Sequence, residues 1–436
     1  MTVATIAPLD SAQGRTCLAA LADRFQQADT GCRDTVAAII DDIRARGDLA
    51  LLDYTRRFDS PAMTIERLRV SELEMAEADS RVPAELLAAI ELAADRIRSF
   101  HEREVEQSFV VTRADGTVTG RLVRPVAAAG LYVPGGRGGQ TPLVSSVLMN
   151  GIPAAIAGVA RKVMVTPPDA AGAVNPALLA AARRAGITEI YKAGSAWAIA
   201  ALAYGTESIR PVDVIVGPGN QYVTEAKRQV SGRVRIDMIA GPSEVLIVAD
   251  HTGDAAFIAA DMLAQAEHDP QALAMVITTD RTLADAVVAE LERQLSSLSR
   301  RDIAARSLAE RGVILVAADT GAAIDAANRI AAEHLELMIA DPFVWLGRVQ
   351  HAGAVFLGRY TPESAGDYVA GPNHVLPTMG TARFSSALGV ETFIKKSSVI
   401  AYSREALAAD AGAIQLLANL EGLTAHARSA AIRMEK

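Results

Sequence analysis

The sequence predicts an α/β protein with two Rossmann-like parallel-sheet domains, a helical N-terminal segment and a small C-terminal tail domain. Three observations lead there. From Leu122–Val133 to Val248, short apolar runs of strand period alternate with helical patterns. A second block of the same kind runs from Ser243 to Leu357, while residues 15–106 carry mainly helical periodicity. Alternating strands and helices imply parallel pairing, because a chain that crosses back through a helix re-enters the sheet in its original direction.

In the helical stretch, Asp34 precedes Val36, Ile39, Ile40 and Ile43 at helical spacing, and Pro83 opens a long amphipathic run. The first alternating block then shows its punctuation. The strand Val163–Val165 ends at Pro167 and Pro168, and a helix begins with Asn175 as cap and Pro176 as its first residue. Gly186 closes that helix before the strand Ile187–Tyr191. Another strand, Val212–Val216, runs into Gly217, Pro218, Gly219 and Asn220, with a helix from about Tyr222. Ligands of open α/β sheets bind at such strand C-terminal ends. The second block places strands at Ser243–Ala249, Ala274–Thr278, Val313–Val316 and Ala354–Leu357; a strand at Ser398–Tyr402 and a helical tail follow. The expected division is 1–29 as the N-terminal helical segment, 30–131 with 242–388 as a discontinuous main domain, 132–241 as the second Rossmann-like domain and 389–436 as the tail.

Composition narrows the function. Half of the 436 residues are hydrophobic and 22% are charged, enough for more than one core. A net charge of −8 without any basic run excludes binding of nucleic acid through its phosphates. The start, MTVATIAPLD, lacks a signal pattern and no long uncharged apolar run follows, so a cytoplasmic protein without membrane contact is expected. Cys17 and Cys32 lie far from every motif below, which argues against a cysteine metal site and against a thiolate nucleophile.

Several segments carry candidate chemistry. The glycines of Gly135–Gly139 allow close backbone approach to a ligand or form a plain tight turn; they are not the GxGxxG fingerprint. Asn220 can hydrogen-bond a ligand or cap the helix after it. Gln265 and His268, three apart on a predicted helix, share a face and can grip one metal, although such a pair is also an ordinary polar face. Glu333 and His334, placed at a helix end before Glu336, offer adjacent base and acid groups. The turn-rich stretch Pro362–Pro377 gathers Glu363, Asp367 and His374, and the tail carries Glu421 and His426. Taken singly, each of these is an ordinary surface residue.

Together they resemble the histidinol dehydrogenase family over nearly the whole chain. The matching segments are GLYVPGG from Gly130, VGPGNQYVTEAKR from Val216, DMIAGPSEVLIVAD from Asp237, QAEHDP from Gln265, EHLEL from Glu333, GDYVAGPNHVLPT from Gly366 and LTAH ending at His426. The resemblance implies a four-electron oxidation of L-histidinol to L-histidine through bound L-histidinaldehyde, consuming two NAD per turnover. It implies one zinc ion per subunit held by Gln265, His268, Asp367 and His426. Those ligands would form the substrate site with Ser243, His334, His374 and Glu421. Glu333 and His334 would be the catalytic pair, and Tyr132 and Asn220 would line the NAD site. It also implies a homodimer whose tails, with Glu421 and His426, complete the partner subunit's site. Two departures stand out: a longer loop between Gly136 and Ser145, and Trp197 where many relatives carry a Gln near NAD. They leave open an alternative reading, a paralogous zinc- and NAD-dependent dehydrogenase of another small polar alcohol.

Overall fold

The computed structural model describes residues 4–24, 31–135 and 141–435. In chain order the strands are β1 (Thr5–Pro8), β2 (Phe109–Thr112), β3 (Val118–Pro125), β4 (Ala128–Tyr132), β5 (Arg161–Thr166), β6 (Glu189–Lys192) and β7 (Val214–Val216), followed by β8 (Arg235–Ile236), β9 (Glu244–Ala249), β10 (Leu273–Thr278), β11 (Val313–Val316), β12 (His334–Met338), β13 (Ala354–Leu357) and β14 (Ile394–Ala401). Two sheets are wholly parallel, with orders β1-β11-β10-β9-β12-β13 and β6-β5-β4-β7-β8. In each, the chain steps outward on one side of its first central strand, β9 or β4, and then returns to the other side through β12 or β7. That reversal leaves a switch point between β9 and β12 and another between β4 and β7.

Both sheets are buried on both faces, as parallel sheets require. Val245 and Ile247 enter one core and Leu246 and Val248 the other, following the two-residue period of a strand. In the five-stranded sheet Leu131 and Met164 face one core, Tyr132 and Val165 the opposite one.

The predicted punctuation is present. Asn175 caps the helix Pro176–Arg184 by accepting from Ala177 N, and Gly186 adopts φ +67° after it. The helix Arg33–Arg46 buries Val36, Ile39, Ile40 and Ile43.

Three expectations change. The N-terminal segment is not helical throughout, since β1 pairs in parallel with β11 before the helix Ala12–Ala22. The stretch expected as one strand region, Leu122–Val133, is divided: β4 enters the parallel sheet, whereas β3 pairs antiparallel with β2 and with β14. Finally, the expected division joins residues 30–131 to the second block, yet their helices pack over the five-stranded sheet. The helix Arg33–Arg46 packs on Ser195–Tyr204 and Gln221–Val230, and Ala84–His101 packs on Val144–Ile156. The physical reason is complementarity, because Ser195–Tyr204 is apolar almost all round and needs a second apolar face besides the sheet. No helix among the described residues is long and apolar enough to cross a membrane.

Candidate active site

Glu333 and His334 do not sit on a helix end. The preceding helix Thr320–Ile330 stops at Ala331, which takes φ +51°, and His334 is the first residue of β12. Both side chains are buried, at 6% and 4% exposure, so neither is a solvated surface group. His334 Nδ1 lies 3.0 Å from the Glu244 carbonyl oxygen. A carbonyl can only accept, so Nδ1 carries the proton and Nε2 keeps its lone pair. Nε2 points toward Asp367, with Oδ1 at 4.0 Å. Burial pushes His334 down to about 4, which keeps the ring neutral. Glu333 Oε2 accepts from Glu244 N at 2.8 Å, and burial, with the charges of Glu244 and Asp367, raises its carboxyl well above the usual range.

Gln265 closes the helix Ala255–Ala266 and is fully buried; His268 lies just past that helix in a turn, its N donating to Gln265 O at 3.2 Å. The pair is therefore joined by a turn and not by a shared helix face. Opposite them, the short helix Glu363–Tyr368 presents Glu363 and Asp367. Ligand atoms of His268, Glu363 and Asp367 all lie within 4.8 Å of one another. With its amide oriented so that donors meet acceptors, Gln265 gives its nitrogen to both Glu363 oxygens, at 2.5 and 2.8 Å, which leaves its carbonyl oxygen for another partner. One imidazole and several oxygens in so small a volume form a donor set suited to a divalent cation of borderline character such as zinc.

Beneath them lie two more acids. Asp261 is raised to about 6 by burial; Glu336, buried against it, is held well above the usual carboxylate range by burial and by the Asp261 charge. Glu336 Oε1 accepts from Glu363 N at 3.1 Å. Glu363 is one of the candidates of the turn-rich stretch, though not one of the metal ligands the resemblance implies, and Asp261 is not among the residues expected in the site. Asp261 had a signal, because it precedes Gln265 by four residues and so shares its helix face.

A cavity of about 470 Å³ opens beside this cluster, lined by His334, Phe356, Asp367, Asn373, His374 and Leu376 among others. His374 is not a surface histidine: its Nε2 is buried and finds no partner among the described residues. Ser243, half-buried, immediately precedes β9. The site thus occupies the N-terminal ends of β9, β12 and β13, opposite to the strand ends at which ligands of open sheets were expected. Glu421, in the turn after the helix Arg404–Leu420, and His426, on the helix Thr424–Ala431, are exposed and are not among the residues lining this cavity.

The expected cofactor residues gather at the C-terminal ends of the other sheet. Gly217 follows β7 with φ +113°; its N donates to Asp237 Oδ2 and its carbonyl accepts from Lys227 Nζ, both at 2.8 Å. Lys227 and Asp237 form a buried ion pair behind this turn. Asn220 caps the next helix, accepting from Tyr222 N and Val223 N. Tyr132 is buried, and its hydroxyl accepts from Ser195 N at 3.1 Å. Trp197 stacks on Tyr54 and Phe58, at 5.7 and 5.4 Å between ring centres. Of the glycine segment, Gly136, Arg137, Gly138, Gly139 and Gln140 lie outside the described residues; the ends are held together by Thr141 N donating to Gly135 O.

The sequence profile of the histidinol dehydrogenase family matches residues 22–434. The chain belongs to this family. It is therefore an oxidoreductase. Among its relatives are histidinol dehydrogenases of Desulfotalea psychrophila, 64% identical over 98% of both chains, and of Nitratidesulfovibrio vulgaris, 57% identical over 95% of this chain and 94% of that one. The crystal structure of histidinol dehydrogenase from Elizabethkingia anophelis is similar throughout, with a TM-score of 0.93 at 37% identity, covering 100% of this chain and 99% of that one.

Proposed function

We propose that the protein oxidises L-histidinol to L-histidine in two successive hydride transfers to NAD, at a zinc site shared between two subunits. The observation that carries this reading is the orientation of His334. Its Nδ1–H is spent on the Glu244 carbonyl, and its bare Nε2 faces the cavity bordered by Asp367 and His374.

Gln265, His268 and Asp367 would hold the metal, with His426 supplied by the other subunit, and Glu363 beside them. Bound there, zinc supplies a template for the amine and imidazole nitrogens of the substrate. His334 Nε2 takes the hydroxyl proton as hydride leaves the alcohol carbon for one NAD. The aldehyde stays bound and is hydrated by water. Glu333, a stronger base for being buried, takes a proton from that water as it attacks; hydride then leaves the hydrated carbon for a second NAD, and the carboxylic acid so formed releases its own proton to solvent as the carboxylate. A thioester route lacks its nucleophile, because neither Cys17 nor Cys32 lines the cavity. Ser243, His374 and Glu421 complete the substrate contacts, and Tyr132 and Asn220 border the nicotinamide cofactor.

The test is the NADH formed per L-histidinol consumed by the zinc-loaded protein. Two, with histidine as product, is the expected result. No turnover of histidinol would transfer the assignment to another small polar alcohol.

A further inference from the structure

The switch point between β9 and β12 holds a buried ion pair for which the reaction as described has no use. Arg24, 4% exposed just beyond the helix Ala12–Ala22, places Nε and Nη2 each 2.5 Å from a carboxylate oxygen of Glu244. The same guanidinium donates to the Ile330 carbonyl at 2.7 Å and to the Ala331 carbonyl at 3.4 Å, at the turn that leads into Glu333. Glu244 in turn is fully engaged: Oε1 also accepts from Met379 N, its backbone N holds Glu333 Oε2, and its carbonyl holds His334 Nδ1.

The ladder between β9 and β12 begins at Val245 opposite His334. Glu244 and Glu333 therefore lie one residue outside it: Glu244 still pairs with Leu273 of β10 and the Glu333 carbonyl accepts from Ala354 N, but no strand pairing joins the two to each other. Arg24 spans that open end, gripping the Glu244 side chain on one side and the carbonyls of 330 and 331 on the other. Stability alone is a weak reason to keep such a pair, because a buried ion pair is often matched by apolar residues of similar volume. A planar fork that meets several oxygens at once is what geometry demands at this point.

We propose that Arg24 is a positioning residue for the oxidation: through Glu244 it sets the Glu333 carboxylate and the His334 ring, without touching substrate. The proposal rests on the reading of Glu333 and His334 as the catalytic pair.

The experiment measures kcat and KM for each oxidation step in the zinc-loaded protein, per folded molecule by near-UV circular dichroism, for Arg24→Ala, Arg24→Lys and the neutral pair Arg24→Met/Glu244→Gln. Displacement of catalytic groups by about an ångström lowers kcat on the order of 100-fold, so Arg24→Ala is expected to lose about 10- to 100-fold with KM for histidinol within about twofold. Millimolar guanidinium is expected to restore much of the loss without changing the folded fraction, and Arg24→Lys to recover only part of it. If Arg24→Ala does not fold, the neutral pair decides, since it leaves no uncompensated charge: the same loss of kcat supports the proposal. Wild-type kcat per folded molecule, in either variant, overturns it. Glu333→Gln and His334→Asn are run alongside; wild-type turnover in both would remove the catalytic reading itself, whereas loss in both with no effect at Arg24 removes this proposal alone.

Discussion

Burial acts in opposite directions on the acids and the histidines of this site, according to which form carries the charge. Glu333, Glu336 and Glu363 are raised and His334 is lowered to about 4. Glu333→Gln keeps the shape and removes the base, so alcohol oxidation is expected to suffer less than aldehyde oxidation in rapid-mixing assays; equal losses would refute that division of labour. Asp59 gives a cleaner test of burial away from the cluster. Its carboxyl is raised from 3.8 to about 7 by burial, against a backbone hydrogen bond from Gly194 that acts the other way. The folded state therefore holds this proton more tightly than the unfolded state does. The associated stability is full below about pH 3.8 and lost as pH rises through about 7. Asp59→Asn cannot ionise, so relative to wild type it is expected to gain on the order of 2 kcal/mol between pH 4 and pH 8 in denaturant titrations. A parallel pH dependence in the two proteins would contradict the assignment. At this scale the adjacency of Glu333 and His334 was legible in the sequence, but Arg24 and Glu244 were not, since they meet Glu333 and His334 only through the fold.

At the scale of elements, turn chemistry was the most legible feature. The Asn175 cap, the Pro83 entry to a helix and the glycine turn after β7 all occupy their expected places, because each depends on a few neighbouring residues. Gly217 is irreplaceable on two grounds, its positive φ and a Cβ that would stand 2.1 Å from the Tyr132 carbonyl oxygen. Gly217→Ala is expected to cost about 3 kcal/mol and to raise KM for NAD more than KM for histidinol; unchanged KM for NAD would separate this turn from the cofactor. The antiparallel sheet was less legible. β2 is exposed at every position and so shows no alternation, and β14 pairs with β3 across more than 250 residues of chain. β12 was hidden for another reason: its run His-Leu-Glu-Leu-Met follows a helix without turn residues, and reads as that helix continued.

For the whole molecule, the placement of Glu421 and His426 matters most. Both are exposed, Glu421 in the turn after the helix Arg404–Leu420 and His426 on the helix Thr424–Ala431, and the same region exposes Leu416, Leu417, Leu420 and Leu423, a set of apolar side chains that a second subunit would cover. If the sites are shared as proposed, mixing an Asp367→Ala subunit with a His426→Ala subunit is expected to recover about a quarter to a half of wild-type activity, since one of the two sites in each mixed dimer would be intact. Absence of recovery would argue for sites built within one chain.

The sequence by itself determined the α/β class, the two blocks of parallel strands and, through its long motifs, the family. These follow from local periodicity, from turn residues and from the order of short segments, all of which are written along the chain. Tertiary structure alone decided which strand ends of the six-stranded sheet carry the candidate site, how the helices of the first hundred residues pack, and why Asp261, Glu336 and Glu363 are buried together. Those outcomes depend on strand order and on contacts between distant residues, for which periodicity holds no record.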